Sequence, residues 1–386
     1  MRSPTDKAGA PSGRKRSRVE ASGSPQPRRS ARLDKIGVFD FFSGAGGTSA
    51  GLRRAGMQVI AGIDNDPDAA STFRRNFPEA EFLESDIATL QTHEISHRVD
   101  RSSDTSTLLF AACAPCQPFS KQNKAQRDTT QRRSLLLEFL RFVEHSLPDL
   151  IFVENVPGLQ DPDESEPPFG PFVKALRKRG YHVSYESIDC RRYGVPQRRL
   201  RLVLLASLLG PIPMPPPTHG PGTPRRYTTV RDWIGDLPPI EAGEHHPRIM
   251  HHRALALSAL NLRRIRHTPM GGDRRHWPTE LLLDCHQKEG AGYSDVYGRM
   301  DWDSAATGLT TRCISLSNGR FGHPDQDRAI SVREAACLQT FPHSFTFDGA
   351  LFSMARQIGN AVPVVLARRF GTHLAQHRAH MLGVTR

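Results

Sequence analysis

One cysteine is framed as a reactive group. Ala114-Pro115-Cys116-Gln117-Pro118-Phe119-Ser120 follows the apolar run 108–112 directly. Two prolines bracket Cys116, so its side chain is aimed by a backbone with little freedom. A buried structural thiol needs no such frame, whereas a nucleophile that adds to an electrophilic carbon and later leaves does. A carboxyl group, Glu154, ends the apolar run 150–153 and is followed by Asn155. Burial at a strand end raises a carboxyl's pKa and equips it to donate a proton. Two further acids close strand-like runs, Asp64 after 58–63 and Asp86 after 80–83.

A glycine loop, Ser43-Gly44-Ala45-Gly46-Gly47, follows the run 38–42 and opens a helix pattern at 48–55, with Asp64 about twenty residues on. That arrangement is the logic of a nucleoside-containing cofactor, with backbone near the ligand and a carboxylate on the ribose hydroxyls. The glycine spacing is not the dinucleotide fingerprint, and no diphosphate cradle is evident. S-adenosylmethionine carries no phosphate and suits the loop better.

These residues need a frame that delivers them to one place. Apolar runs at 38–42, 58–63, 80–83, 108–112, 150–153, 182–188 and 200–206 read as strands. Helix patterns at 67–77, 135–143 and 172–179 lie between them. Alternation of this kind predicts an α/β fold with a doubly wound, mostly parallel sheet of the Rossmann-like type, whose functional residues collect at the carboxyl ends of the strands. The glycine loop, Asp64, Cys116 and Glu154 all fall there. After 206 the texture changes: Pro211, Pro213 and Pro215-Pro216-Pro217 form a stiff linker, and 218–327 is rich in His, Arg, Gly and Pro with poor periodicity. This predicts a second, smaller, loop-rich domain. Helix patterns return at 330–338 and 363–376, the last amphipathic enough to dock on the first domain. The divisions are thus a disordered basic tail (1–35), a catalytic and cofactor-binding domain (36–208), a small domain (209–345) and a C-terminal segment returning to the first domain (346–386).

The 386 residues carry a net charge of +12, of which residues 1–35 hold +7. A basic balance favours a polyanionic partner. No run is long and apolar enough to span a bilayer, and the N-terminus lacks an apolar signal segment, so a cytoplasmic address with no membrane partner is expected. Six thinly spread cysteines fit reduced thiols rather than a disulfide frame. The pairs His245-His246 and His251-His252 read as surface or phosphate-facing groups, not metal ligands, and no metal is expected.

From position 38 to 363 the chain resembles the cytosine-carbon-5 DNA methyltransferases. The resemblance rests on seven segments in order: Asp40-Phe41-Phe42-Ser43-Gly44-Ala45-Gly46-Gly47; the acids Asp64 and Asp86-Ile87; Pro115-Cys116-Gln117-Pro118-Phe119-Ser120; Glu154-Asn155-Val156; Gln197-Arg198-Arg199-Leu200-Arg201; Arg333-Glu334-Ala335-Ala336 with Leu338-Gln339 and Phe341-Pro342; and Gln357-Ile358-Gly359-Asn360-Ala361-Val362-Pro363. It implies methyl transfer from S-adenosyl-L-methionine to carbon 5 of a flipped-out cytosine in double-stranded DNA at a specific sequence, through a covalent adduct at Cys116. Glu154 would act at ring nitrogen 3, Arg199 at the base's carbonyl oxygen, and Arg201 would support the same pocket. Cofactor contacts would come from Phe42, Gly44, Gly46, Gly47, Asp64, Asn65, Asp86, Ile87, Pro115, Asn360, Ala361 and Val362. Residues 218–300, which carry none of the shared motifs, would lie in the target-recognition region of the small domain. Lys121, Lys124, Arg127, Arg132 and Arg133 are candidate phosphate contacts. The resemblance also implies a monomer, bound to the nucleoid through DNA, working alone or beside a restriction endonuclease of the same site.

Two departures accompany it. The ribose acid, often Glu in the family, is Asp64, and the nucleophile loop opens with Cys113-Ala114 in place of Gly and an apolar residue. Three rival readings differ in class. Cys113 and Cys116 form a CxxC pair, but zinc would need a second ligand pair at matching spacing. Relatives acting on tRNA share the chemistry but carry a Cys-Phe-Thr signature that this chain lacks. A non-catalytic DNA-binding module would not need Cys116 and Glu154 together.

Overall fold

Strands β1 (Lys35–Phe41), β2 (Gln58–Asp64), β3 (Glu81–Glu84), β4 (Thr105–Ala112), β5 (Leu150–Asn155), β6 (His182–Asp189) and β8 (Leu200–Ser207) form one sheet in the order β3-β2-β1-β4-β5-β8-β6. The computed structural model describes residues 35–101, 105–114, 135–157, 168–286 and 295–383. Pro115 and Cys116, the five basic residues that follow them and the tail 1–34 lie outside the described residues. β3 through β5 run parallel, and β8 is antiparallel to both β5 and β6. The antiparallel step follows from chain length. The short β6–β8 connection can only reverse the chain, whereas the parallel pairs are joined by helical crossovers.

Both faces of the central strands β1, β4, β5 and β8 are covered, which is why these strands read as largely apolar runs. Phe39, Phe41, Phe110, Ile151 and Leu204 face α3 (Thr92–Arg101), α4 (Leu135–Ser146) and α5 (Phe169–Lys178), where Ile95, Phe139, Phe142 and Phe172 meet them. Phe41 lies 5.1 Å from both Phe110 and Phe139, ring centre to ring centre. Val38, Leu109, Phe152 and Leu205 face α1 (Gly47–Arg54) and α10 (Val364–Met381) through Leu52, Leu366, Phe370 and Leu374. α10 crosses so close to α1 that a Cβ at Gly51 would stand 2.6 Å from the Val364 carbonyl oxygen. The C-terminal helix α10 is therefore packed against α1 on this face of the sheet.

A second core joins the small domain to the sheet. Phe73 of α2 (Pro67–Asn76) and Phe77, just after it, pack with Phe341, Phe345 and Phe347, and with α8 (Val332–Leu338) and α9 (Leu351–Asn360). Elements here are short: α6 (Arg231–Ile234), α7 (Ala259–Arg266) and the paired two-residue strands β7 (Gln197–Arg198) and β9 (Ala306–Thr307).

Arginines take the place of regular structure. Buried loop carbonyls need donors, and Arg299 supplies them to Thr268, Ile265, His323 and Gln326 at 2.7–3.0 Å. Arg333 does the same for Met250 and Phe345. Arg328 holds Glu334 through two hydrogen bonds of 2.7 Å. Burial alone would raise the Glu334 carboxyl, but those bonds and the Arg328 charge bring it down to about 2. The histidine expectation needs a correction. His252 is 1 % exposed, with its ring nitrogens on Ser331 Oγ at 2.9 Å and the Pro238 carbonyl at 2.8 Å, because Ser331 and Pro238 both require a partner inside the small domain. His251 Nε2 likewise accepts from the Phe347 amide at 3.0 Å.

Candidate active site

The site begins where β1 stops. Phe42 (φ 58°), Gly44 (φ 50°) and Gly46 (φ 90°) all take left-handed backbone, unusual for the phenylalanine. The turn closes through Gly46 N–H donating to the Ser43 carbonyl at 2.8 Å. Gly46 caps α1 without a side chain, so another group must serve that helix end. Asp40, fully buried one strand below, does so by accepting from Ser49 N at 3.0 Å and Ser49 Oγ at 2.6 Å. Burial outweighs those bonds and pushes the Asp40 carboxyl up to about 7.

Asp64, at the end of β2, holds the loop from the side. Its two oxygens accept from Gly44 N at 2.8 Å and Asp66 N at 3.1 Å. Burial raises its pKa in spite of them. Across the loop, a Cβ at Gly47 would sit 2.7 Å from the Val362 carbonyl oxygen and 3.0 Å from the Ala361 Cβ. The chain after α9 is thereby pressed against the glycine turn.

These pieces bound a cleft of about 1160 Å³ at the carboxyl ends of the strands. Of the residues singled out in the sequence, Phe42, Gly44, Gly47, Asp64, Asn65, Asp86, Ile87, Glu154, Arg199, Arg201, Asn360, Ala361 and Val362 line it. Gly46 does not. It faces the other way, where a Cβ would come 2.5 Å from the Phe77 ring. Its glycine serves the turn and the α2 packing rather than a ligand. Asp66, Asp68, Thr310, Thr311 and Arg356, which no sequence motif singled out, also line the cleft, as do Ser43 and Cys113. Arg356 pairs with Asp66, the N-cap of α2, at 2.5 Å. That pair spans positions 290 residues apart, so no local pattern signals it.

Glu154 and its neighbours form the other end. Arg201 Nε stands 2.8 Å from Glu154 Oε1, both side chains nearly buried. That oxygen has no aligned hydrogen-bond donor among the described residues. Arg199 ties the cleft floor together by donating to the Leu309 carbonyl at 2.9 Å and the Gly359 carbonyl at 3.4 Å. Its Nε is buried without a hydrogen-bond partner among the described residues, and burial and the Arg201 charge lower its pKa to about 10. Asn155 Nδ2 donates to the Ala114 carbonyl at 3.0 Å, fixing the point from which the Cys116 segment departs. Cys113 is a half-buried thiol 3.4 Å from Thr48 Oγ1, its pKa raised by desolvation and by the charges of Glu154 and Asp40.

The donor set around the glycine loop bears on the cofactor. Asp64, Asp66, Asp68 and Asp86 gather there, with Arg356 already paired. Four carboxylates disfavour a polyphosphate and suit a cationic, hydroxyl-bearing ligand.

A family model of C-5 cytosine-specific DNA methylases matches residues 36–376. The chain belongs to this family. The methylase is 45% identical over 336 residues to the Type II methylase M.HgiDII of Herpetosiphon aurantiacus, a match covering 86% of this chain and 92% of the relative. It is 32% identical to the Type II methyltransferase M1.HphI of Haemophilus parahaemolyticus over 85% and 84% of the two chains. Among solved structures, a prophage-encoded protein of E. coli described as a DNA modification methyltransferase superposes with a TM-score of 0.68 at 22% identity, over 90% of this chain and all of that one. A Spodoptera frugiperda DNMT2 variant gives 0.59 at 18% identity, over 88% and 99%. At those identities the structures speak for the shared fold. Family membership makes the methylase a DNA (cytosine-5)-methyltransferase. Among its described residues, no helix is long and apolar enough to cross a membrane.

Proposed function

We propose that this methylase transfers a methyl group from S-adenosylmethionine to carbon 5 of a cytosine flipped out of duplex DNA, through a transient bond to Cys116, as the modification partner of an endonuclease with the same site. The observation that carries the reading is that one cleft holds Glu154, whose Oε1 is 2.8 Å from Arg201 Nε, beside Arg199, whose buried Nε has no hydrogen-bond partner among the described residues. A buried polar atom without a partner is rare and asks for a ligand. A cytosine edge fits this pair of side chains, with ring nitrogen 3 and the amino group for the carboxyl and a carbonyl oxygen for the guanidinium donors of Arg199 and Arg201.

Carbon 5 becomes nucleophilic only after addition at carbon 6. The Cys116 thiolate supplies that bond, and electron density moves to ring nitrogen 3, where Glu154 donates a proton or hydrogen bond. Asn155 sets the start of the Cys116 segment, and Arg201 holds Glu154 in place. When bound, the cofactor supplies an electrophilic methyl on its sulfonium. Asp64 and Asp86 suit ribose and adenine, with Phe42, Asn65, Ile87, Pro115 and the Asn360-Ala361-Val362 wall around them. After transfer the carbon-5 proton leaves to a base, and Cys116 is expelled as a thiolate. The reading also takes the protein to act as a monomer in the cytoplasm, on the nucleoid.

The likeness to two Type II enzymes at 45% and 32% identity supports the modification role. Bisulfite sequencing of DNA from cells expressing the chain tests the whole reading. Methylated cytosine confined to one sequence context is expected. Unmodified DNA, with methylation found on tRNA instead, would overturn it.

A further inference from the structure

The lip of the cleft is rigid. Leu309 donates its amide to Gln197 Oε1 at 3.0 Å and its carbonyl accepts from Arg199 at 2.9 Å. The next carbonyl, of Thr310, touches Gly359 so closely that any side chain there would collide with it. Cys313 N–H then donates to that carbonyl at 3.1 Å, and Ser315 N–H donates to the Arg312 carbonyl at 2.9 Å. These turns bury Cys313 and Ile314 and leave Arg312 exposed, one residue beyond the cleft-lining Thr311.

Arg312 lacks the acid that several other exposed arginines have. Arg226, Arg231, Arg275 and Arg356 each lie within 2.8 Å of a carboxylate oxygen. Among the described residues Arg312 has no ion pair. Its guanidinium rests on the Phe352 ring instead, 5.9 Å from the ring centre, within cation–π range. Phe352 is itself 49 % exposed, at the start of α9. On α9 it shares a face with Arg356 and Asn360, spaced four and eight residues on, which line the cleft. An exposed phenylalanine on this face contributes to no core. What it does is hold a guanidinium at the cleft mouth, uncompensated by any acid. Such a cation recognises an anion, and the anion that must pass that mouth, if a base is to enter the cleft, is the backbone on either side of the base.

We infer that Arg312, seated on Phe352, binds a backbone phosphate of the target strand next to the flipped nucleotide. Phe352 is a positioning residue for that contact. The inference rests on the proposed DNA reaction and adds a contact to it. It would be one of the phosphate contacts that set register without reading sequence.

The test uses the full chain and a short fluorescein-labelled duplex carrying the site mapped by bisulfite sequencing, with affinity measured from about 50 to 200 mM salt. For Arg312→Ala, the slope of log K against log salt becomes shallower by about 0.9 and affinity falls roughly tenfold, while cofactor affinity is unchanged. Arg312→Lys keeps the slope, which separates charge from folding. Phe352→Ala keeps the slope and weakens binding about two- to fourfold. A wild-type slope in Arg312→Ala overturns the inference while leaving the reaction standing. Wild-type protein that neither binds nor methylates the duplex removes both.

Discussion

Asp40 should make the stability of this protein fall as pH rises from about 4 to about 7. The carboxyl is fully buried, and only one of its oxygens is hydrogen-bonded; the other, Oδ1, has no partner among the described residues. Its pKa of about 7 in the fold exceeds the ordinary value of 3.8. The folded state therefore binds this proton more tightly than the unfolded state. Its stabilising effect is complete below pH 4, declines through the interval and is gone above 7. A shift of about three units is worth about 4 kcal/mol at 1.36 kcal/mol per unit. Asp40→Asn removes the titration. Its amide oxygen can still accept from Ser49, but its NH₂ meets the place where Oδ1 has no partner, at a cost of about 1–3 kcal/mol. The variant should be less stable than wild type at pH 4 and more stable at pH 8. Urea unfolding at pH 4, 5, 6, 7 and 8 measures this. Parallel pH profiles for the two proteins would refute the reasoning.

Gly47→Ala should weaken binding of the cofactor or its demethylated product about tenfold or more in calorimetry, because the new Cβ meets the Val362 carbonyl oxygen at 2.7 Å and forces the cleft wall outward. Glu154→Gln should keep the fold and the cofactor affinity yet lower kcat by about 10²–10⁴ in a tritium-transfer assay; a loss under threefold would reassign the proton donor. Glu334→Gln leaves Arg328 buried without its charge partner and should destabilise the small domain by about 3–5 kcal/mol in thermal unfolding. The Glu334 carboxyl is held down at about 2. Its contribution is thus present above pH 4.5 and lost as pH falls toward 2, a stretch of the acid profile that the variant should lack.

The sheet and its strand-end residues were legible because a parallel sheet covered on both faces writes itself as short apolar runs, and chemistry in such folds sits where those runs stop. Asp64 and Glu154 share the cleft for that reason. α3 was not legible, since Ile95 is its one fully buried apolar side chain in a polar stretch. α9 was passed over because attention fell on its last four residues as a motif. Residues 218–327 hid their order, although the helix pattern at 330–338 matches α8. The small domain's loops are held by Arg299, Arg328 and Arg333 donating to distant carbonyls, and such bonds leave no periodicity. Gly46 was assigned to the ligand because glycine identity does not say whether the turn, a neighbouring ring or a ligand demands it. The Arg201–Glu154 and Arg356–Asp66 pairs depend on strand order and helix docking, and these emerge only in three dimensions.

The central claim is the sulfur–carbon bond at Cys116. Duplex DNA carrying 5-fluorocytosine at the mapped site cannot lose its carbon-5 substituent, so an adduct formed in the presence of S-adenosylmethionine should persist through denaturation. Peptide mass spectrometry should place that adduct on Cys116, and Cys116→Ser should show none. An adduct on Cys113 or any other side chain, or methyl transfer surviving in Cys116→Ser, would contradict the account.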